Sequence, residues 1–270
     1  MSILRSFLNW LKLDETKAID NLDDPATTLT HRKIIQEKPF LRRLYVEWYD
    51  SIIKGFGGTL EGKTVVELGS GGGFFKELAP SLITSDVLDL PGVDRSFSAL
   101  DMPFEAESLD GICMVDVLHH IPDVRRFLSE ASRCLKPGGR VVMIEPANTI
   151  WSRFVYKNFH HEAFDPRAGW VLEDSGPLSS ANGAIPWIVF KRDRKLFERE
   201  YPDLDIVEYK SHSPIRYLFS GGVSMRQLVP GSCYSVIKGA EYLLWPFNSL
   251  LGMFCTVIVR KRDSEKDGIL

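Results

Sequence analysis

The chain has 270 residues, 44% of them hydrophobic and 26% charged, with a formal net charge of -3. That length suits one large domain, or one domain with an insertion, with a core burying roughly 70–75% of the unfolded surface. The slight acidity argues against nucleic acid as a partner, since phosphate binding needs concentrated Lys and Arg. Cys113, Cys134, Cys233 and Cys255 are scattered without a C-x-x-C pair, and read as reduced, buried thiols of a cytosolic protein.

In chain order, Ile3, Leu4, Phe7, Leu8 and Leu11 recur at helical spacing, with Trp10 nearby and Arg5 and Lys12 among the polar residues. Residues 1–13 therefore read as an amphipathic helix, docked on protein or lying on a membrane surface, within an N-terminal unit of residues 1–30. No cleavable signal is read there. "RKIIQEKPFLRRLYVEWYDSIIKGF" is helical in period on both sides of Pro39 and suits a cover over a ligand mouth.

From Thr64 strand-like and helical runs alternate, as a doubly wound sheet requires. The expected strands are "TVVEL", "LITSDV", a short run from Val93, "GICMVDV", "RVVMIEP", "LDIVEYKSH" and "MFCTVIVRK". A helix is expected from Pro122 to Leu135, with Val124, Phe127, Leu128, Ala131 and Leu135 on one face and "KPGG" ending it. Residues 150–188 show no clear period and read as a lid or substrate wall, and "KRDRKLFERE" as an exposed helix. "YLLWPFNSLLGMFCTVIV", from Tyr242 to Val259, is uncharged over 18 residues, but Pro246, Asn248, Ser249 and Gly252 interrupt it. A helix, a turn and a buried strand describe it better than a membrane span.

The stretch "VVELGSGGGFF", Val65 to Phe75, carries the chemistry. It lacks the Gly-Lys-Ser/Thr ending of a P-loop. Counted from Gly69, the third glycine of a dinucleotide turn would fall on Phe74. What remains is acid-x-G-x-G-x-G, met by Glu67, Gly69, Gly71 and Gly73 with Ser70 inside the turn, a form associated with S-adenosylmethionine. Glycines allow close backbone approach, and a helix starting near Gly73 would offer N–H groups to a carboxylate, with Glu67 complementing an ammonium.

Three linked segments, "VVELGSGGGF", "LDMPFEAESLDGICMVDVLHHIPD" and "LKPGGRVVMIEP", resemble the class I S-adenosylmethionine-dependent methyltransferases, within them the small-molecule group. The likeness runs from about Lys63 to Pro146. It implies a Rossmann-like α/β fold: a seven-stranded, mostly parallel sheet with helices on both faces, the last strand antiparallel, and an insertion after strand five. The units would be 31–146, the cover helix and cofactor half; 147–200, the insertion; and 201–270, completing the sheet. Gly69, Gly71 and Gly73 would frame the methionine portion of the cofactor and Glu67 its amino group. Asp86, with Asp89 as runner-up, would take the ribose hydroxyls. Ser98 stands where the family commonly has an acid facing the adenine amino group, and the backbone N–H of Ala99 or Leu100 would serve the ring. Val115, Asp116 and the His119–His120 pair, at the end of strand four, should approach the sulfonium.

The expected reaction is methyl transfer from S-adenosyl-L-methionine to a small-molecule, lipid or glycan-linked acceptor, with His120 or His161 as general base. The alternative is an inactive, methyltransferase-like binding or scaffold protein. His160, His161, Glu162 and Asp165 form a second polar cluster, but adjacent histidines do not match helical zinc spacing, so no metal is expected. The chain is expected in the cytoplasm, with peripheral membrane contact through residues 1–13.

Overall fold

The computed structural model describes residues 10–17, 19, 21–160, 162–172 and 176–263. The expected N-terminal amphipathic helix, and His161, lie largely or wholly outside them. At the described end of that helix, Trp10 is exposed, Leu11 is buried, and Lys12 bridges to Met225 of the same chain.

Seven strands form one sheet in the order β3-β2-β1-β4-β5-β7-β6. They are β1 (Val65–Glu67), β2 (Ile83–Asp86), β3 (Arg95–Ser96), β4 (Leu109–Val115), β5 (Leu135–Pro146), β6 (Leu204–His212) and β7 (Phe254–Lys261). All neighbours pair in parallel except β7, which runs antiparallel to both β5 and β6. The strand order reverses between β1 and β4, and in such a sheet that switch point opens a crevice at the carboxyl ends. β4 and β5 are buried apolar runs because helices cover both faces.

The helix α1 (Pro25–Glu37) is capped by Asp24, which accepts the Ala26 N–H, and α2 (Pro39–Gly55) starts directly after it. Pro39 cannot donate to a continuing helix, so the chain turns at Lys38 and Pro39 becomes the first residue of α2. Trp48 of α2 packs on Phe254 of β7, and Tyr49 stacks on Phe75.

Three sequence expectations change. No long helix follows the glycine turn: Ser70–Gly72 is a 3-10 turn, and α3 (Phe75–Leu78) is a single turn. The next helix, α4, is Val124–Cys134, capped by Asp123 rather than begun at Pro122, and "KPGG" lies inside β5 as an irregularity opposite Leu109–Gly111. The segment after Pro146 is not irregular from its start. It opens with α5 (Ile150–Phe159), closed at its N-terminus by a reciprocal capping pair of Thr149 and Ser152. This local pair supplies the start signal that apolar period did not, and Thr149 Oγ1 also donates to Gly252 O.

The charged run at the end of the 147–200 segment becomes α6 (Arg194–Glu200), which buries its own Phe197. Between β6 and β7 come α7 (Arg216–Ser220), α8 (Tyr234–Leu243) and α9 (Asn248–Leu251). The uncharged stretch from Tyr242 thus divides into a helix end, turns and β7. Among the described residues no helix is long and apolar enough to cross a membrane.

Candidate active site

A cavity of about 360 Å³ lies at the carboxyl ends of β1, β2, β4 and β5, with Leu68, Asp86, Val115 and Pro146 on its wall. The glycine turn forms one side. Gly69 sits at φ 68°, and a Cβ there would lie 2.4 Å from the Val117 side chain. At Gly71 a Cβ would be 2.6 Å from Asp86 Oδ2, because the Gly71 N–H donates to that oxygen at 2.9 Å. The turn's glycines therefore first serve close packing inside the protein. Arg32 of α1 fastens the turn from above, donating through Nε to Gly71 O at 2.7 Å. Beside it Thr28, on the cavity wall, has a buried Oγ1 with no hydrogen-bond partner.

Asp86 is buried at the end of β2, with its second oxygen accepting the Leu88 N–H at 3.0 Å. Burial raises its carboxyl above the usual range, against three backbone N–H bonds and the Arg32 charge. Asp89, the runner-up, is exposed and not on the cavity wall. Ser98 and Ala99 line the cavity beside Phe97 and Leu100, and Ser98 Oγ accepts the Leu100 N–H at 3.2 Å.

Glu67, Ser70 and Gly73 do not line this cavity. They border a separate depression of about 170 Å³ on the other side of the turn. Ser70 Oγ donates to Glu67 Oε2 at 2.7 Å, and burial pushes the Glu67 carboxyl up to about 7. The helix expected near Gly73 is the single-turn α3, and its first residue, Phe75, borders this depression rather than the cavity.

Asp116 follows β4 at φ 56°, a left-handed conformation that Asp tolerates. Burial, reinforced by Glu145 and Glu162 and opposed by His119, pushes its carboxyl up to about 8. His119 and His120 leave the same short turn with ring centroids 4.3 Å apart, and both line the cavity. His119 Nδ1 meets Glu145 Oε2 at 2.7 Å, and its Nε2 meets Glu162 Oε2 at 3.4 Å. Burial works against charge on His119, but these two carboxylates outweigh it and hold the imidazole well above its usual range. The same contacts hold Glu162 well below its usual range despite burial. His120 differs: burial, then the neighbouring His119 charge, pushes it down to about 4. Its Nδ1 faces the Ser180 carbonyl at 3.0 Å. A carbonyl only accepts, so Nδ1 carries the hydrogen and Nε2 the lone pair.

The cavity has one fixed and one tied wall. On the fixed side, Thr149 Oγ1 donates to Gly252 O, Ser152 Oγ to Ala147 O and Tyr156 OH to Met253 O, at 3.0, 2.6 and 2.9 Å. Across from it, the Asp23 carboxylate accepts from the Leu178 and Ser179 N–H groups and from Ser179 Oγ, at 2.7, 2.9 and 2.6 Å.

Residues 66–143, from β1 into β5, match the family model described as a methyltransferase domain. Over those residues the chain is similar to a methyltransferase domain. A demethylmenaquinone methyltransferase of Symbiobacterium thermophilum is 35% identical over 81 residues, 29% of this chain and 32% of that protein. A phthiotriol/phenolphthiotriol dimycocerosates methyltransferase 1 of Mycobacterium ulcerans is 35% identical over 111 residues, 34% of this chain and 41% of that one. The chain thus spans less than half the length of these curated relatives. Among solved structures, a geranyl diphosphate C-methyltransferase from Streptomyces coelicolor A3(2) matches with a TM-score of 0.47 and 17% identity, over 86% of this chain and 83% of that chain.

One cavity brings together Gly69, Asp86, Ser98, Ala99, Asp116, His120 and Glu162. Sequence reasoning gave no role to Glu145 or Thr28. Glu145 carried a signal, as a lone acid in the apolar strand "RVVMIEP" that must have buried partners. Thr28 carried none, because its position depends on how α1 crosses the turn. Asp165, by contrast, is exposed and turned toward Arg167.

Proposed function

We propose that this chain transfers a methyl group from S-adenosyl-L-methionine to an apolar small-molecule or lipid acceptor. The observation that carries this reading is the buried Asp86 carboxylate beside the glycine turn, on the wall of the cavity at the strand ends. A carboxylate suits two adjacent ribose hydroxyls, and the unpartnered Thr28 Oγ1 supplies a further hydrogen-bonding group beside the turn. Phe97 and Leu100 offer apolar contact to a flat base, with the Ala99 N–H beside them. Asp116, neutral when alone at pH 7, gains a reason to ionise when a positive charge enters.

The cofactor supplies a methyl already activated on sulfur, so the protein's part is alignment and exclusion of water. His120, on the cavity wall with its Nδ1 held by the Ser180 carbonyl, is the side chain we place beside the acceptor's reacting atom. Glu67, Ser70, Gly71 and Gly73 contribute by setting the shape of the turn. Tyr156, Phe164, Tyr217 and Phe254 give the remaining wall an apolar character that fits such an acceptor. The names of the relatives, which concern demethylmenaquinone and dimycocerosates, point the same way.

Contact with a membrane surface belongs to the same proposal. Tyr242, Leu243, Trp245, Phe247 and Leu250 are all exposed, and α9 packs against α5, whose Ile150 and Phe154 are exposed too. Aromatic and aliphatic side chains grouped on short helices suit the headgroup boundary of a bilayer.

The test is calorimetry with S-adenosylmethionine, followed by incubation of the protein with methyl-labelled cofactor and a cell extract, the labelled product being identified by mass spectrometry. Saturable binding lost in Asp86→Ala, with label on a small molecule or lipid, supports the reading. Absence of binding, or label on protein alone, refutes it.

A further inference from the structure

Two neighbouring histidines usually diverge, but in the tight turn Leu118–His120 both rings turn the same edge toward Glu162, which arrives from the insertion 42 residues after His120. His119 Nε2 lies 3.4 Å from Glu162 Oε2, and His120 Nε2 lies 3.7 Å from Glu162 Oε1. We propose that His119 Nε2, His120 Nε2 and the Glu162 carboxylate form a binding site for a divalent transition-metal ion.

The spacing fits. With metal–ligand bonds of about 2.1 Å at tetrahedral angles, neighbouring donor atoms stand about 3.4 Å apart. The three donors lie within 4.8 Å of one another.

The outer contacts fit as well. A metal-bound imidazole gives its other N–H to a carboxylate or carbonyl, which fixes the ring and leaves the binding nitrogen bare. His119 has Glu145 on Nδ1 at 2.7 Å, and His120 has the Ser180 carbonyl on Nδ1 at 3.0 Å. Glu145 is itself held, its Oε1 accepting the Val117 and Leu118 N–H groups at 2.8 and 2.7 Å.

The third contact closes the set: with Nδ1 on the Ser180 carbonyl, His120 turns Nε2 toward Glu162 Oε1 at 3.7 Å, so both imidazoles meet one carboxylate.

A rival grouping, Asp116 with His119 and Glu145, has comparable spacing. It is the weaker site, because Glu145 already accepts three hydrogen bonds and would have to give up the one that orients His119.

Two imidazoles and one carboxylate suit Zn²⁺, Fe²⁺ or Co²⁺ better than Mg²⁺ or Ca²⁺, which prefer all-oxygen sets. All three side chains line the cavity, so the ion would keep an open side there, as in catalytic rather than structural sites. That open side suits an oxygen-bearing acceptor, whose hydroxyl a divalent ion acidifies. This last consequence rests on the methyl-transfer reading; the ion site does not.

Untagged protein, stripped with chelator, would be titrated with Co²⁺ and followed by its visible absorption, with Zn²⁺ competition by calorimetry. One ion per chain is expected, with affinity falling at least about tenfold in both Glu162→Gln and His120→Gln. S-adenosylmethionine affinity and thermal midpoint, measured on the same variants, report whether each still folds and binds the cofactor. Binding no tighter in the wild type than in two well-folded variants would overturn the ion site. Cofactor binding in that same preparation would leave the methyl-transfer reading standing.

Discussion

The Gly71 N–H donates to Asp86 Oδ2 across 2.9 Å, joining the turn after β1 to the last residue of β2. A carboxylate that positions the turn and also faces the cavity couples stability to cofactor binding. Asp86→Ala should lower both the thermal midpoint and S-adenosylmethionine affinity, the latter by about 1.5–3 kcal/mol, or roughly 10- to 150-fold, for lost charged hydrogen bonds. Calorimetry and thermal melts on one preparation check this. Unchanged affinity would remove Asp86 from the cofactor site.

Gly71→Ala tests the same junction from the other side. A Cβ there meets Asp86 Oδ2 at 2.6 Å and Leu90 at 2.5 Å, so the turn must shift. A cost of about 1–3 kcal/mol in denaturant unfolding is expected, as for overpacking generally. Gly72→Ala is the control, because a Cβ at Gly72 has only an ordinary contact, 3.7 Å to Ile35.

Glu67 gives a pH signature of stability. Its carboxyl titrates near 7 in the folded chain, against a reference of 4.5. Between those values the folded state keeps a proton that the unfolded state has released. Stability contributed through this group therefore falls as pH rises across the window, by up to about 3 kcal/mol. Glu67→Gln should be less stable relative to wild type at the acid end and gain on it toward pH 7.5. Melts in both proteins at a series of pH values read this; a difference that stays flat would show that Glu67 is already ionised throughout.

His120→Gln should lower kcat by about 10²–10⁴ with cofactor affinity kept, the range for losing a group that acts at the reacting atoms. Once an acceptor is identified, steady-state kinetics separate this from a binding defect.

The exposed apolar group on α8 and the turns after it should act at a bilayer. Leu243→Glu with Trp245→Glu should abolish sedimentation with lipid vesicles while leaving the unfolding free energy within about 1 kcal/mol of wild type, because both side chains are exposed.

The sheet was legible because β1, β4, β5 and β7 are mostly buried apolar runs bounded by turns, and the seven expected runs became β1 to β7. Helix boundaries were less so. Thr149 and Ser152 cap α5 through each other, a local T-x-x-S pattern without the usual Glu or Gln, and only the Thr149 bond to Gly252 reaches a distant segment. Asp86, expected from its distance after Glu67, and His120, expected from its place after β4, both line the cavity. Glu67 was misplaced, because the sequence shows that an acid precedes the turn but not on which side its side chain emerges. Glu162 stood in view within "NFHHEAFDP", yet its pairing with His119 and His120 depends on how the insertion folds back.

The two walls of the cavity have unequal freedom. α5 is anchored to the segment before β7 through Thr149 and Tyr156, and to Ala147 through Ser152, so it can move only with the sheet. The loop at Leu178 and Ser179 is tied to Asp23 by three bonds that water can replace. Ligand traffic should therefore use that second side, and a change at Asp23 should alter how fast ligands come and go more than which ligand is chosen. Kinetics of exchange and selectivity of fit are assigned to opposite faces of one pocket.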